Sequence, residues 1–213
     1  KEDDVEYHEG LTCQESVDVS DSFSLMEMVR LVEERMDQYG PADAILNYWD
    51  FPNSCIAPLL CKRNGLPGPS LEAVAALEHK LWARHAIERA APEASTEFCA
   101  VDPFGARPRD QVKIDYPFWV KPFVSHSSYL GFKIENEEEL EAAMEIIRNG
   151  IGMFGKPFDE FLEHVELPEE IKGIGGMHCI AEKSIAADAQ VTLEGYVFEG
   201  DCVCYGAVDS VRE

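Results

Sequence analysis

The run Tyr116-Pro117-Phe118-Trp119-Val120-Lys121-Pro122 decides how the rest of the chain is read. Its centre is aromatic and β-branched, so Phe118–Lys121 reads as a short buried strand. The strand ends in a lysine, and burying an ammonium is costly without an anionic partner. Lys121 is therefore either a ligand for a phosphate or a lysine whose stem packs on the strand while its head reaches water. Ser125-His126-Ser127-Ser128 follows, within a loop that Gly131 closes before a second strand at Phe132–Ile134. Three hydroxyls, an imidazole and several backbone N–H groups between two strands can fold over a phosphate chain. An ordinary polar hairpin loop has the same composition.

Toward the C-terminus, Asn136 caps a helix over Glu137–Arg148. A short helix is expected at Phe158–Val165 and a Gly-rich stretch at Lys172–Gly176. His178–Lys183 reads as a strand. Beyond it, Glu182-Lys183-Ser184-Ile185 is extended and can present a carbonyl and an N–H side by side, as the hydrogen-bonding edge of adenine requires; a plain strand end is the alternative. Ala189–Phe198 and Cys202–Ser210 alternate as an antiparallel pair around the turn Glu199-Gly200-Asp201. Gln190 and Glu194 stand four apart, on one face of that strand, suited to ribose hydroxyls or to solvent.

Toward the N-terminus, Ser70 caps a long helix through about Ala90 that carries Lys80, after the turn-rich Gly65-Leu66-Pro67-Gly68-Pro69. Asn53–Asn64 reads as a helix and Asp43–Tyr48 as a short buried strand. An earlier helix carries Leu25, Met28, Val29, Val32 and Met36 at helical spacing, is capped by Asp21 or Ser22, and stops at Gly40-Pro41. Lys1 to Ser20 is polar and irregular, with a short strand at Glu15–Val19. Phe98–Ala100 is a further strand, and Val101–Asp115 a loop. The fold class expected is α/β in the first part, as the tail of a parallel domain, and α+β in the second.

The 213 residues are enough for one large domain or two small ones, and the 46% hydrophobic content is ordinary for a globular chain. With 41 acidic and 18 basic residues the formal charge is −23, which repels nucleic-acid backbones. It does not exclude a nucleotide, whose pocket needs only two or three placed cations. No apolar run approaches a membrane span, and Lys1 to Gly10 has no signal-peptide core. Lys1 in place of Met suggests a start inside a longer protein. The seven cysteines include no C-x-x-C pair, which reads as reduced thiols of a cytoplasmic protein.

Lys80 on a helix, Lys121 on a strand, a Ser-rich loop, and a strand ending in Glu182-Lys183-x-Ile185 follow one another in an order that resembles the ATP-grasp superfamily, in particular its biotin-carboxylase-like and carboxylate–amine ligase branches. The resemblance runs from about Asp43 to Glu213. Leu66-Pro67-Gly68-Pro69-Ser70 looks like the family's approach to its ATP-binding part, Phe132–Glu139 like the strand and helix after the phosphate loop, and Ile180–Ile185 like the strand that holds adenine.

The resemblance implies that residues 1–69 are the end of a Rossmann-like domain, 70–176 a linker helix and the ATP-grasp small lobe, and 177–213 the start of the large lobe. Lys80 and Lys121 would contact ATP phosphates. Ser125, His126, Ser127, Ser128 and Tyr129 would form a mobile flap over them. Glu182, Lys183 and Ile185 would contact adenine, largely through backbone, and Gln190 the ribose. Mg²⁺ would accompany ATP, with its ligands beyond residue 213; Asp209 reads as a solvated residue. A small carboxylate and a nucleophile would be the other substrates, and a homodimer is compatible with the reading. A regulatory nucleotide-binding module without ligase activity is the alternative, since Gly131 is the flap's only glycine and Tyr129 and Leu130 make it bulky. A purely structural interaction domain is a third. Lysines that await phosphate should be neutral or mildly destabilising in the nucleotide-free protein.

Overall fold

The computed structural model describes residues 5–17, 23–187 and 189–209, and the chain divides into two compact units, residues 1–183 and 184–213. The first holds eight α-helices, a 3-10 turn at Pro92–Ala94 and a four-stranded sheet among its described residues, and the second a hairpin.

Helix α1 spans Cys13–Val17, where the sequence reads as a strand from Glu15 on; residues 18 and 19 of that expectation lie outside the described residues. The reason is a reciprocal cap. Glu15 N donates to Thr12 Oγ1 at 3.2 Å, and Thr12 N donates to Glu15 Oε2 at 2.8 Å, which satisfies two free amides at the helix start. Helix α2 spans Leu25–Tyr39 and stops at Gly40 as its sequence implies. Its cap is Ser24, whose Oγ accepts from Glu27 N at 3.2 Å; Asp21 and Ser22 lie outside the described residues.

Asp43–Tyr48 forms no strand. An extended segment becomes a strand only with a ladder partner, and the four strands of this unit pair with one another instead; Leu46 and Tyr48 are exposed. The described residues before Ser70 therefore hold helices alone. Helix α3, Asn53–Asn64, ends on Gly65 in the left-handed region, as its Gly-rich exit implies.

The long helix expected from Ser70 to Ala90 is two helices, α4 (Leu71–Glu78) and α5 (Lys80–Ala90). His79 breaks them. Its backbone is extended, with ψ 97°, and its Nδ1 accepts from Trp82 N at 3.3 Å, so the residue that ends one helix caps the next. Its Nε2 lies 3.0 Å from Ile174 O, and its ring stacks on Phe123.

Strands β1 (Phe98–Val101), β2 (Phe118–Pro122), β3 (Phe132–Ile134) and β4 (Cys179–Lys183) form one antiparallel sheet in the order β1-β4-β2-β3. The loop before β2 carries a short helix α6, Pro108–Gln111. Helix α7, Glu137–Gly150, starts at Asn136, whose Oδ1 accepts from Glu139 N at 3.0 Å. Helix α8 is Gly152–Leu162, earlier than the expected Phe158–Val165. Phe154, Phe158, Phe161 and Leu162 give it one buried stripe, and this packing outweighs Gly155 and Pro157 inside it.

Two cores flank the sheet. On one face Phe118, Val120, Cys179, Ala181, Val101 and Ile134 meet Leu140, Met144 and Ile147 of α7. Beside the other lies a core of α2, α3, α4, α5 and α8, joined by Phe123, Val124 and Ile180. In the second unit, β5 (Val191–Phe198) and β6 (Asp201–Asp209) pair across the turn at Glu199-Gly200, with a bulge at Glu194/Gly195.

Candidate functional site

Sheet register places the candidate residues. Trp119 lies opposite Glu182, Lys121 opposite Ile180, and Phe98 opposite Glu182. Opposed residues in an antiparallel pair share a face, so Trp119, Lys121, Ile180, Glu182 and Phe98 point one way, away from α7. The apolar members of that face pack against helices, while Trp119 stays 39% exposed.

Helix α5 brings its charges to this face. Lys80 and Arg84 stand one turn apart, on the same side of the helix. Arg84 Nε donates to Glu182 Oε1, and Lys121 Nζ lies 2.5 Å from Glu182 Oε2. Glu182 is only 5% exposed, so each of its oxygens has its own cation. Burial works to raise its pKa, but the hydrogen bonds and charges of Lys121 and Arg84 outweigh this and hold it below the usual carboxylate range. The charged pairing is not legible in the sequence: there Glu182 reads as an adenine contact through its backbone, and nothing singles out Arg84.

Lys80 Nζ donates to Ser125 O at 2.8 Å and reaches Phe123 O at 3.3 Å and Ser125 Oγ at 3.4 Å. Its backbone N–H also donates to Phe123 O at 3.1 Å. Burial, and then the charge of Lys121, push its pKa down to about 8. Two cations are thus held near one another beside the exit of β2. On the same side, Ser54 Oγ donates to Glu78 Oε1 at 2.5 Å, and burial raises the pKa of Glu78.

The loop after β2 makes two successive turns, with Tyr129 N donating to His126 O at 3.0 Å and Gly131 N to Ser128 O at 3.1 Å. Ser127, Ser128 and Leu130 have φ of 51°, 59° and 54°, a region that costs side-chain-bearing residues energy and is enriched at ligand clamps. The loop is seated on its aromatic residues. The Tyr129 ring meets Phe154 edge-on at 5.3 Å, the His126 ring lies 5.0 Å from Phe154, and Tyr129 Oη donates to Gly150 O at 3.2 Å.

The structure thus brings together Lys80, Lys121, Glu182 and Ser125, and seats His126, Ser127 and Ser128 in the adjoining loop. Lys183 points to the opposite face and pairs with Glu97 at the surface. Ile185 and Gln190 belong to the second unit and are exposed; Gln190 precedes β5 rather than lying in it. Among the described residues no group of three or more His, Cys, Asp or Glu is arranged to hold a metal ion. Among the described residues no helix is long and apolar enough to cross a membrane.

No protein-family model matches the chain, and no curated protein matches it. Solved structures do. The L-amino acid ligase from Bacillus licheniformis is similar with a TM-score of 0.59 at 14% identity, over 87% of this chain and 36% of that one. D-alanyl-alanine synthetase A from Vibrio cholerae O1 biovar eltor str. N16961 is similar with a TM-score of 0.53 at 14% identity, over 76% of this chain and 43% of that one. The chain has the fold of part of the ATP-grasp ligases, and spans less than half the length of either structure.

Proposed function

We propose that this chain is the nucleotide-binding portion of an ATP-grasp ligase, in which a carboxylate is activated as an acylphosphate and then attacked by an amine or similar nucleophile. The observation that carries the reading is the convergence of Lys80, Lys121 and the Ser125 loop at one corner of the sheet, beside a face that α7 does not cover. Two cations, one of them with its pKa depressed by burial and by the other's charge, make a corner that gains from an anion.

In this reading a carboxylate oxygen bonds to the terminal phosphorus of ATP and ADP leaves; the nucleophile then bonds to the acyl carbon and phosphate leaves. The chain's own residues bind and orient. Lys80 and Lys121 neutralise phosphate charge as it shifts, and Ser125, His126, Ser127 and Ser128 lie over the phosphates and exclude water. The adenine contacts of Glu182, Lys183 and Ile185 and the ribose contact of Gln190 are expectations of the resemblance; β4 lies between β1 and β2, and Lys183 N–H already donates to Glu97 O at 2.9 Å. By the resemblance, residues 1–69, 70–176 and 177–213 would correspond to the preceding domain, the small lobe and the start of the large lobe, although α2 and α3 share a core with α4, α5 and α8 and β4 belongs to the first unit's sheet. Mg²⁺, when bound, would offset triphosphate charge.

Titration with ATP, followed by an assay for ADP release with small carboxylates and amines, tests the reading. A second reading, a regulatory module that binds nucleotide without turnover, is favoured by the flap. Its seat on Phe154 through Tyr129 and His126 resists the opening a catalytic cycle needs. Binding without ADP release by the longest natural form of the protein supports that reading.

A further inference from the structure

We infer that Arg84 is a positioning residue for Lys121: it holds the buried carboxylate of Glu182 so that Lys121 can leave it for a phosphate. This rests on the nucleotide-site reading above and extends it to a residue outside the expected contacts. Lys121 is engaged in the nucleotide-free protein, with Nζ 2.5 Å from Glu182 Oε2. A lysine committed to a buried carboxylate is a poor phosphate ligand, because turning away strands a desolvated negative charge. With Lys121 in place Glu182 is 5% exposed, so its carboxylate is largely desolvated.

Arg84 removes that obstacle. It occupies Oε1 of the same carboxylate, so Glu182 keeps a charge-assisted partner when Lys121 leaves Oε2. Two cations face one carboxylate, which leaves one positive charge in excess for the ligand. The guanidinium cannot lose its proton, so the hold persists at any working pH. Arg84 also stands one helical turn from Lys80, so both ride on α5 and their spacing is fixed by the helix. Lys80 itself bonds backbone carbonyls, which carry no net charge and release it without stranding an ion.

The test is ATP binding measured by NMR titration, which reads weak affinities, on wild type, Arg84→Gln, Arg84→Lys, Glu182→Gln, Arg84→Gln/Glu182→Gln and Lys121→Ala. Arg84→Gln should weaken binding about tenfold or more, the scale of one stranded buried charge. Arg84→Lys should recover most of that loss. The double variant should bind at least as tightly as Arg84→Lys, since no carboxylate then competes for Lys121, and Glu182→Gln alone should bind more tightly than wild type. If Arg84→Gln binds ATP like wild type and merely melts lower, Arg84 is a packing residue and the inference is overturned. Should Arg84→Gln fail to fold, Glu182→Gln decides: weakening as large as that of Lys121→Ala overturns the inference. If Lys121→Ala binds like wild type, or wild type does not bind, the nucleotide-site reading fails and the inference falls with it.

Discussion

Lys80 and Ser125 are joined by a 2.8 Å hydrogen bond from the ammonium of the helix residue to the carbonyl oxygen of a residue in the loop after β2. The backbone N–H of Lys80 holds Phe123 O as well, so one residue of α5 fixes where the chain leaves β2. A helix residue thereby joins a strand end and its following loop, some way along the sequence, in one corner, whose parts can be perturbed separately.

Lys121→Ala should lower stability by only about 1 kcal/mol, because it strips one oxygen of a buried carboxylate of its partner while Arg84 still holds the other. This reverses the sign expected of a lysine that merely awaits phosphate. Lys121→Ala/Glu182→Gln should recover most of the loss. Denaturant midpoints of the three proteins check it, and a single variant as stable as wild type would contradict the pairing.

His79 predicts an acid transition. Burial lowers its pKa from 6.5 to about 4, so the native imidazole stays neutral over a range where the unfolded one takes up a proton. Its contribution is therefore complete above pH 6.5 and is lost as pH falls from 6.5 to 4, by up to roughly 3 kcal/mol. Glu78 and Asp159, raised by burial, act in the opposite sense, so the quantity to follow is the difference between wild type and His79→Asn. That difference should shrink across the window; a difference independent of pH would contradict a buried neutral His79.

The flap should respond to its seat and to nucleotide. Phe154→Ala removes the ring beneath His126 and Tyr129 and should speed amide exchange across residues 126–130. ATP should slow the same amides. Ser128→Gly relieves a φ of 59° and should stabilise the apo protein by about 0.5–1 kcal/mol. Exchange unchanged by both Phe154→Ala and ATP would contradict the flap role.

Gly155 and Gly176 mark a close backbone approach. A Cβ on Gly155 would lie 2.6 Å from Gly176 O, a distance that forces α8 away from the chain leading to β4. Gly155→Ala should therefore cost about 1–3 kcal/mol by overpacking, seen in thermal melts. A neutral substitution would show that α8 can shift freely.

Much of this arrangement is legible in the sequence where the signal is local. Phe118–Lys121 announces a strand by its apolar run, and Asn136 with Glu139 announces the start of α7. The break at His79 is not, because no Gly or Pro marks it; what bends the chain is a tertiary bond to Ile174 and stacking on Phe123. The strand expected at Asp43–Tyr48 has suitable composition and lacks a partner, which composition does not reveal. At the site, both lysines can be found by position. Arg84 cannot, because its partner lies 98 residues away and an arginine on a helix otherwise reads as surface charge.

The most direct test of the central claim is ATP affinity in wild type, Lys80→Ala, Lys121→Ala and, as a control on the exposed loop before β2, Lys113→Ala. Each lost charge-assisted phosphate contact is worth about 1.5–3 kcal/mol, or roughly ten- to hundredfold in affinity. Lys80→Ala and Lys121→Ala should each weaken binding on that scale and Lys113→Ala should leave it unchanged, whereas equal affinity in all four proteins would mean that this corner of the sheet binds no nucleotide.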